Sequence, residues 1–197
     1  MLDLFLIPYP WEQRKLGEVG KIVTGSTPPT SNADNYSSDG SPWVTPTDIN
    51  SQTIFDSSKR LSAQGESISR MVPVGTILVT SIASIGKNTM LTVRGSFNQQ
   101  INGVIPNKNN DSYFLLTMSE IWSKKMKSFA SSGTMQIVNK TEFSKMKFDF
   151  PKSKQEQAQI GQLFSALDHT ITLHQRKQKE PEIGLFHSMF EHIKKLL

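Results

Sequence analysis

The side chains best suited to chemistry in this sequence are short and polar, and they sit in segments punctuated by glycine and proline. Thr24, Ser26, Thr27, Thr45, Thr47, Ser84, Lys87, Asn98, Gln99, Gln100, Thr134 and Gln136 all fall there. Asn and Gln bridge the N6 and N7 atoms of adenine, while Ser, Thr and Lys serve phosphates and base edges. Taken singly, each is an ordinary loop residue. The Asn98-Gln99-Gln100 run is the most telling, since three successive amides at a strand edge make poor core material. One of them turned inward would hold a loop instead.

Other chemistries lack the residues they need. Gly20, Gly25 and the Gly86-Lys87 pair form neither GxGxxG nor GxxxxGK followed by Ser or Thr, so no nucleotide cradle is expected. Ser81-Ile-Ala-Ser84 is not the GxSxG elbow of a serine nucleophile. The absence of cysteine excludes disulfides and thiol catalysis and suits a cytoplasmic protein. His169, His174, His187 and His192 cluster near the C-terminal end without a zinc spacing. A metal-dependent nuclease would have to use Asp34, Asp39, Asp48 or Asp56, which lack calcium-loop spacing. We therefore expect no catalytic residue, no metal site and no cofactor in the chain itself.

Charge adds direction. Lys and Arg number 22 against 17 Asp and Glu, for a net charge of +5. The surplus lies in residues 51–150, with 12 basic and 6 acidic side chains, whereas residues 1–50 hold 3 and 6. A basic central body raises the local concentration of DNA without choosing a sequence; a solvated basic face is the bland alternative.

The positioning elements read as α/β (α+β), a mixed sheet with helices. Trp11–Val23 suggests a short helix or turn entering a strand, and Pro42–Pro46 a short extended segment with Trp43 in the core. Thr76–Ile82, Thr89–Val93 and Gly95–Pro106 read as strands, rich in β-branched residues or alternating. Phe114, Leu115, Met118, Ile121, Trp122, Met126 and Phe129 recur near helical period, with Lys124, Lys125 and Lys127 on the outer face. Met135–Val138 reads as a strand, Lys140–Met146 as a short helix, and Phe148–Phe150 as a last strand closed by Pro151. The apolar start, residues 1–7, is too short to cross a bilayer and lacks the basic lead of a signal peptide, so no membrane partner is expected.

The character changes after residue 151, which divides a body, 1–151, from a helical region, 152–197. Ser153 with Glu156 has capping-box spacing. Ile160, Phe164, Leu167, Ile171 and His174 step by three and four, with Leu163 widening the stripe. Pro181 and Gly184 predict a kink or restart, after which Ile183, Phe186, Phe190, Ile193 and Leu197 resume the pattern. Such a seam suits a second copy or a partner helix. A protein-interaction scaffold built on this helix is thus the alternative to a DNA reader.

In order along the chain, Trp11-Glu-Gln-Arg-Lys-Leu-Gly-Glu18, Gly25-Ser-Thr-Pro28, Pro42-Trp43, Thr80-Ser-Ile-Ala-Ser-Ile-Gly86, Asn98-Gln99-Gln100, Gly133-Thr134 and Phe150-Pro151 resemble one half of a type I restriction-modification specificity subunit. Glu156-Gln157, Ile160-Gly161, Leu167-Asp168 and His174-Gln-Arg-Lys177 continue the resemblance. It implies a non-catalytic target-recognition domain reading half of a split double-stranded DNA site. It also implies a spacer helix that docks methyltransferase subunits, with an ATP-driven restriction subunit able to join. S-adenosylmethionine, ATP and Mg²⁺ would reside on those partners. Three departures stand out: room for one domain and one helix rather than two of each, Ile82 where the family often has Arg, and the Pro181–Gly184 interruption. The resemblance fits a natural half-subunit, a recombination cassette or a truncated remnant, and a half-subunit would recover the two-domain design as a homodimer or with a second recognition half.

Overall fold

The computed structural model describes residues 11–131 and 137–194, with side chains described as far as residue 175. The apolar start, Thr134, Gln136 and Leu197 lie outside the described residues, as do the side chains of Ile183, Phe186, Phe190 and Ile193.

Strand β1 (Glu12–Lys15) leads into the one-turn helix α1 (Leu16–Val19) and strand β2 (Gly20–Thr24). Strands β3 (Tyr36–Val44), β4 (Thr53–Ile54) and β5 (Arg60–Leu61) follow, then the short helix α2 (Ala63–Ser67). Four more strands come next: β6 (Ile77–Thr80), β7 (Asn88–Leu91), β8 (Ser96–Phe97) and β9 (Ile101–Pro106). Helix α3 (Ser112–Ser131), helix α4 (Lys140–Lys145), strand β10 (Lys147–Phe150) and helix α5 (Lys154–Lys194) complete the order. The fold is a mixed α+β arrangement, with a central sheet ordered β2-β9-β6-β7-β4, a three-stranded sheet β5-β3-β8 and a β1-β10 ribbon.

Burial on both faces explains why the central strands read as nearly continuous apolar runs. Successive side chains on a strand point to opposite faces. Accordingly Ile77 and Val79 join one core with Leu16, Phe114, Trp122, Phe143 and Phe150, while Leu78 joins the other with Val44, Leu91, Phe97 and Ile101. Helix α3 covers the first face through Phe114, Leu115, Met118, Trp122 and Met126, but Ile121, expected on that stripe, is 49% exposed. Seven residues after Phe114, it lies at the edge of the inward stripe, where cover from the body runs out. Of the strand expected over Met135–Val138, the described part shows only a bridge from Ile137 to Ile82.

Helix α5 begins as its cap predicts, with the Ser153 hydroxyl accepting from the Gln155 and Glu156 amides at 3.2 and 3.4 Å. Glu156 does not complete a capping box in that bonding: its carboxylate accepts from the Trp11 indole N–H at 3.0 Å, tying the helix to the start of β1. Gln157 is fully buried. Its amide donates to Asn110 Oδ1 and the Pro151 carbonyl, each at 3.1 Å, and its oxygen accepts from the Asp111 amide at 3.0 Å. Gly161 lies close against the start of α3, where a Cβ would stand 2.7 Å from Asp111 Oδ1. The expected restart is corrected: one helical span runs through Pro181 to Lys194. Proline removes a single donor, and the ladder on either side supplies the remaining bonds. The chain divides into two compact units, residues 1–161 and 162–197.

Candidate nucleic-acid interface

Strand register carries the candidate segments to one end of the central sheet. Thr24, last in β2, pairs with Asn102; Ile101, first in β9, pairs with Thr80, last in β6. Val79 pairs in turn with Asn88, first in β7, and Thr53 of β4 lies beside Met90. The loops after Thr24, from Asn98 to Gln100, from Ser81 to Lys87 and from Thr45 to Gln52 therefore gather there. Helix α3 returns to the same end, where the Asn88 amide donates to Ser123 Oγ at 2.9 Å. The residues that receive Gln157, Asn110 and Asp111, follow the opposite end of β9.

Some of these side chains build the surface and others face water. Gly25 passes so close to the Asn98 turn that a Cβ would lie 2.2 Å from the Phe97 and Asn98 carbonyls. Its neighbour Ser26 accepts from the Arg70 amide at 2.8 Å through Oγ and from the Trp43 indole at 2.9 Å through its carbonyl. Thr24 Oγ1 donates to Asn102 Oδ1 at 3.1 Å. Thr24 and Ser26 thus hold the loop, while Thr27 is exposed at its tip. Within the amide run, Asn98 Oδ1 accepts from the Gln100 backbone at 2.7 Å and Asn98 Nδ2 donates to Gln100 Oε1 at 3.3 Å. Asn98 and Gln100 shape the turn, and Gln99 is exposed at its crest.

Thr45 is bound locally as well. Asp48 accepts from the Thr45 amide at 2.8 Å and hydroxyl at 2.6 Å, and from the Ser58 amide at 3.0 Å. Burial pushes the Asp48 carboxyl up, but these donors outweigh it and hold the group below its ordinary value. In the loop after β6, Thr80 Oγ1 donates to the Ser84 carbonyl, Ala83 adopts φ 61° and Gly86 φ 81°. Ser84 and Lys87 are exposed, with Lys87 Nζ 3.3 Å from the Pro46 carbonyl.

Sequence reasoning missed four residues at this end. Arg70 donates from its guanidinium to the Thr24 carbonyl, and Lys127 stands with Lys87, Asn88, Ser51 and Glu120 around an open cleft. Buried Asn102 donates to the Val138 carbonyl at 2.9 Å. Ser81, also buried, joins two loops. Lys127 carried a signal as part of the basic face of α3, and Ser81 as part of the Thr80–Gly86 stretch; Arg70 and Asn102 are set by tertiary pairing. Among the described residues, no group of three or more His, Asp or Glu could hold a metal ion. His169 and His174 are exposed, and no described helix is long and apolar enough to cross a membrane.

On α5 the predicted seam divides. Ile160 is partly buried against the core of the body, whereas Leu163, Phe164, Leu167 and Ile171 are 40–60% exposed.

A mixed sheet thus collects polar and basic loops at one end, and the chain continues in sequence into a long helix. Residues 8–182 match the type I restriction modification DNA specificity domain, and the chain belongs to that family. It is 31% identical over 154 residues to the type I restriction enzyme HindI specificity subunit of Haemophilus influenzae, covering 75% of this chain and 33% of that one. It is 29% identical over 193 residues to the MjaIX specificity subunit of Methanocaldococcus jannaschii, covering 92% and 42%. A solved structure described as the basis of complex assembly and conformational transition of the type I R-M system matches with a TM-score of 0.71. That match has 20% identity and covers 91% of this chain and 43% of that one. The HsdS subunit from Thermoanaerobacter tengcongensis matches at 0.66, with 18% identity and coverage of 87% and 40%. The chain thus spans a third to under half of the length of these relatives.

Proposed function

We propose that the body of this chain reads one half of a bipartite double-stranded DNA target, and that the region from 152 onward spaces it and docks partners. The observation that carries this reading is the convergence of exposed Gln99, Thr27, Ser84 and Lys87 at one sheet end, in a member of a DNA specificity family. An exposed amide suits adenine and an exposed ammonium suits phosphate. The chain itself performs no chemistry. Methyltransferase subunits supply S-adenosylmethionine, an ATP- and Mg²⁺-dependent restriction subunit can join, and the complex works in the cytoplasm. Two such domains paired through this region favour a symmetric split site.

Selection of bound duplexes from a random library, with and without a methyltransferase subunit, tests this. An enriched bipartite motif is the expected result. No enrichment in either arm at moderate salt would sink the DNA-reading function.

A further inference from the structure

Buried Ser81 anchors two segments at the polar end of the sheet. Its amide donates to the Gln100 carbonyl at 2.8 Å, and its carbonyl accepts from the Val138 amide at 3.0 Å. A second clamp comes from buried Asn102, whose amide donates to the Val138 carbonyl at 2.9 Å. The residues beside these anchors, Ile82 and Ile137, form an isolated antiparallel bridge. Residues directly opposite in such a bridge present their side chains on the same face. Ile137 is 51% exposed and Ile82 half-buried, and neither belongs to either core. Directly after Ile82 the chain turns at Ala83, a non-glycine residue at φ 61°. Backbone held in that region concentrates where a loop must aim a side chain. Two branched aliphatic chains therefore stand at the end of the sheet that also carries the exposed Gln99, Ser84 and Lys87.

From this juxtaposition we infer that Ile82 and Ile137 form an apolar ridge that reads the C5-methyl of thymine in the major groove, beside an adenine read by Gln99. The inference rests on the DNA-reading function proposed above. An A·T pair presents the adenine N6–N7 edge and the thymine methyl together in that groove, and an amide with an aliphatic group matches both. Reading cytosine N4 calls for a carboxylate; residues 81–84 and 98–100 hold none, and the exposed Glu120 stands at the cleft beside Lys87 and Lys127 instead. The target half thus includes at least one A·T pair recognised through its methyl group.

Uracil replaces thymine with loss of that methyl alone, so it isolates the contact. In the duplex enriched by selection, each thymine would be replaced in turn by uracil and titrated with the full chain. The same series would be run with an Ile82→Ala, Ile137→Ala double variant whose melting curve matches wild type. Wild type should bind roughly fourfold more weakly at one or more replaced positions, the worth of one buried methyl-sized group. The double variant should bind the thymine and uracil duplexes equally. Wild-type binding indifferent to every replacement would overturn the inference while leaving DNA reading intact, and would return the ridge to a protein partner. A uracil effect undiminished in the double variant would also overturn it. If no duplex is enriched at all, the proposed function falls and this reading with it.

Discussion

The side-chain amide of Gln157 lies 3.1 Å from Asn110 Oδ1, with both residues buried. This pair fastens the first turns of α5 to the sheet end opposite the polar loops, and Gln157 also serves the Pro151 carbonyl and the Asp111 amide. Buried polar groups are costly only when unpaired, so removing this hub strands three partners at once.

Gln157→Leu should therefore lower the stability of the body by about 1–3 kcal/mol for each partner that water cannot reach. Urea unfolding of the two proteins at neutral pH measures it. A midpoint within error of wild type would show that the hub is dispensable.

The end of the sheet that carries the polar loops predicts three distinct mutant signatures. Lys87→Ala should weaken binding to matched and mismatched duplexes alike and lower the salt slope by about one unit, as a lost phosphate contact does. Gln99→Ala should instead relax discrimination at one base pair by about 1–3 kcal/mol. Asn98→Ala acts through the turn and should reduce all specific binding together. Titrations on both duplexes at several salt concentrations separate the three, and identical behaviour of Lys87→Ala and Gln99→Ala would refute the assignment.

How far the sequence discloses this arrangement varies with the distance over which each element is decided. The strand around Ile77–Thr80 and the helix of Phe114, Trp122 and Met126 are legible because their apolar patterns are local. The first part of β3 is not, since Tyr36-Ser-Ser-Asp-Gly-Ser41 has no apolar alternation and is held by pairing to β5 from distant sequence. Gln157 reads as a polar flank of the helical seam, yet it is buried because Asn110 and Asp111 meet it. Within Asn98-Gln99-Gln100 the sequence shows three equivalent amides. The turn alone decides that Asn98 and Gln100 bond each other while Gln99 faces out.

Asp48 gives a pH signature. Its carboxyl is held below its ordinary value of 3.8 because hydrogen bonds from Thr45 and Ser58 outweigh burial. A carboxyl depressed in the folded state stabilises it fully above the unfolded value, and that stabilisation is lost as pH falls through the folded value. Asp48→Asn should thus melt below wild type at neutral pH, with the gap closing as pH drops below 3.8. Melting curves at several pH values decide it; a gap constant with pH would mean that the charge is not what the Thr45 and Ser58 donors stabilise.

Leu163, Phe164, Leu167 and Ile171 stay 40–60% exposed, while Ile160 is spent on its own domain. Complete burial of such side chains is worth about 1.5–3 kcal/mol each, and part of that is already realised here. Association costs an estimated 4–15 kcal/mol in lost freedom, so these four alone would close only a weak contact. A stable dimer, or a firm dock on a methyltransferase, then requires the later apolar residues Ile183, Phe186, Phe190 and Ile193 to contribute as well. Wild type should sediment as a dimer at tens of micromolar, or co-purify with its methyltransferase. Leu167→Asp combined with Ile171→Asp should abolish either association without lowering the melting temperature of the body. Truncation after residue 175 should weaken association while leaving the first stripe intact. A wild-type chain that is monomeric at those concentrations, and that binds no methyltransferase, would rule the docking helix out.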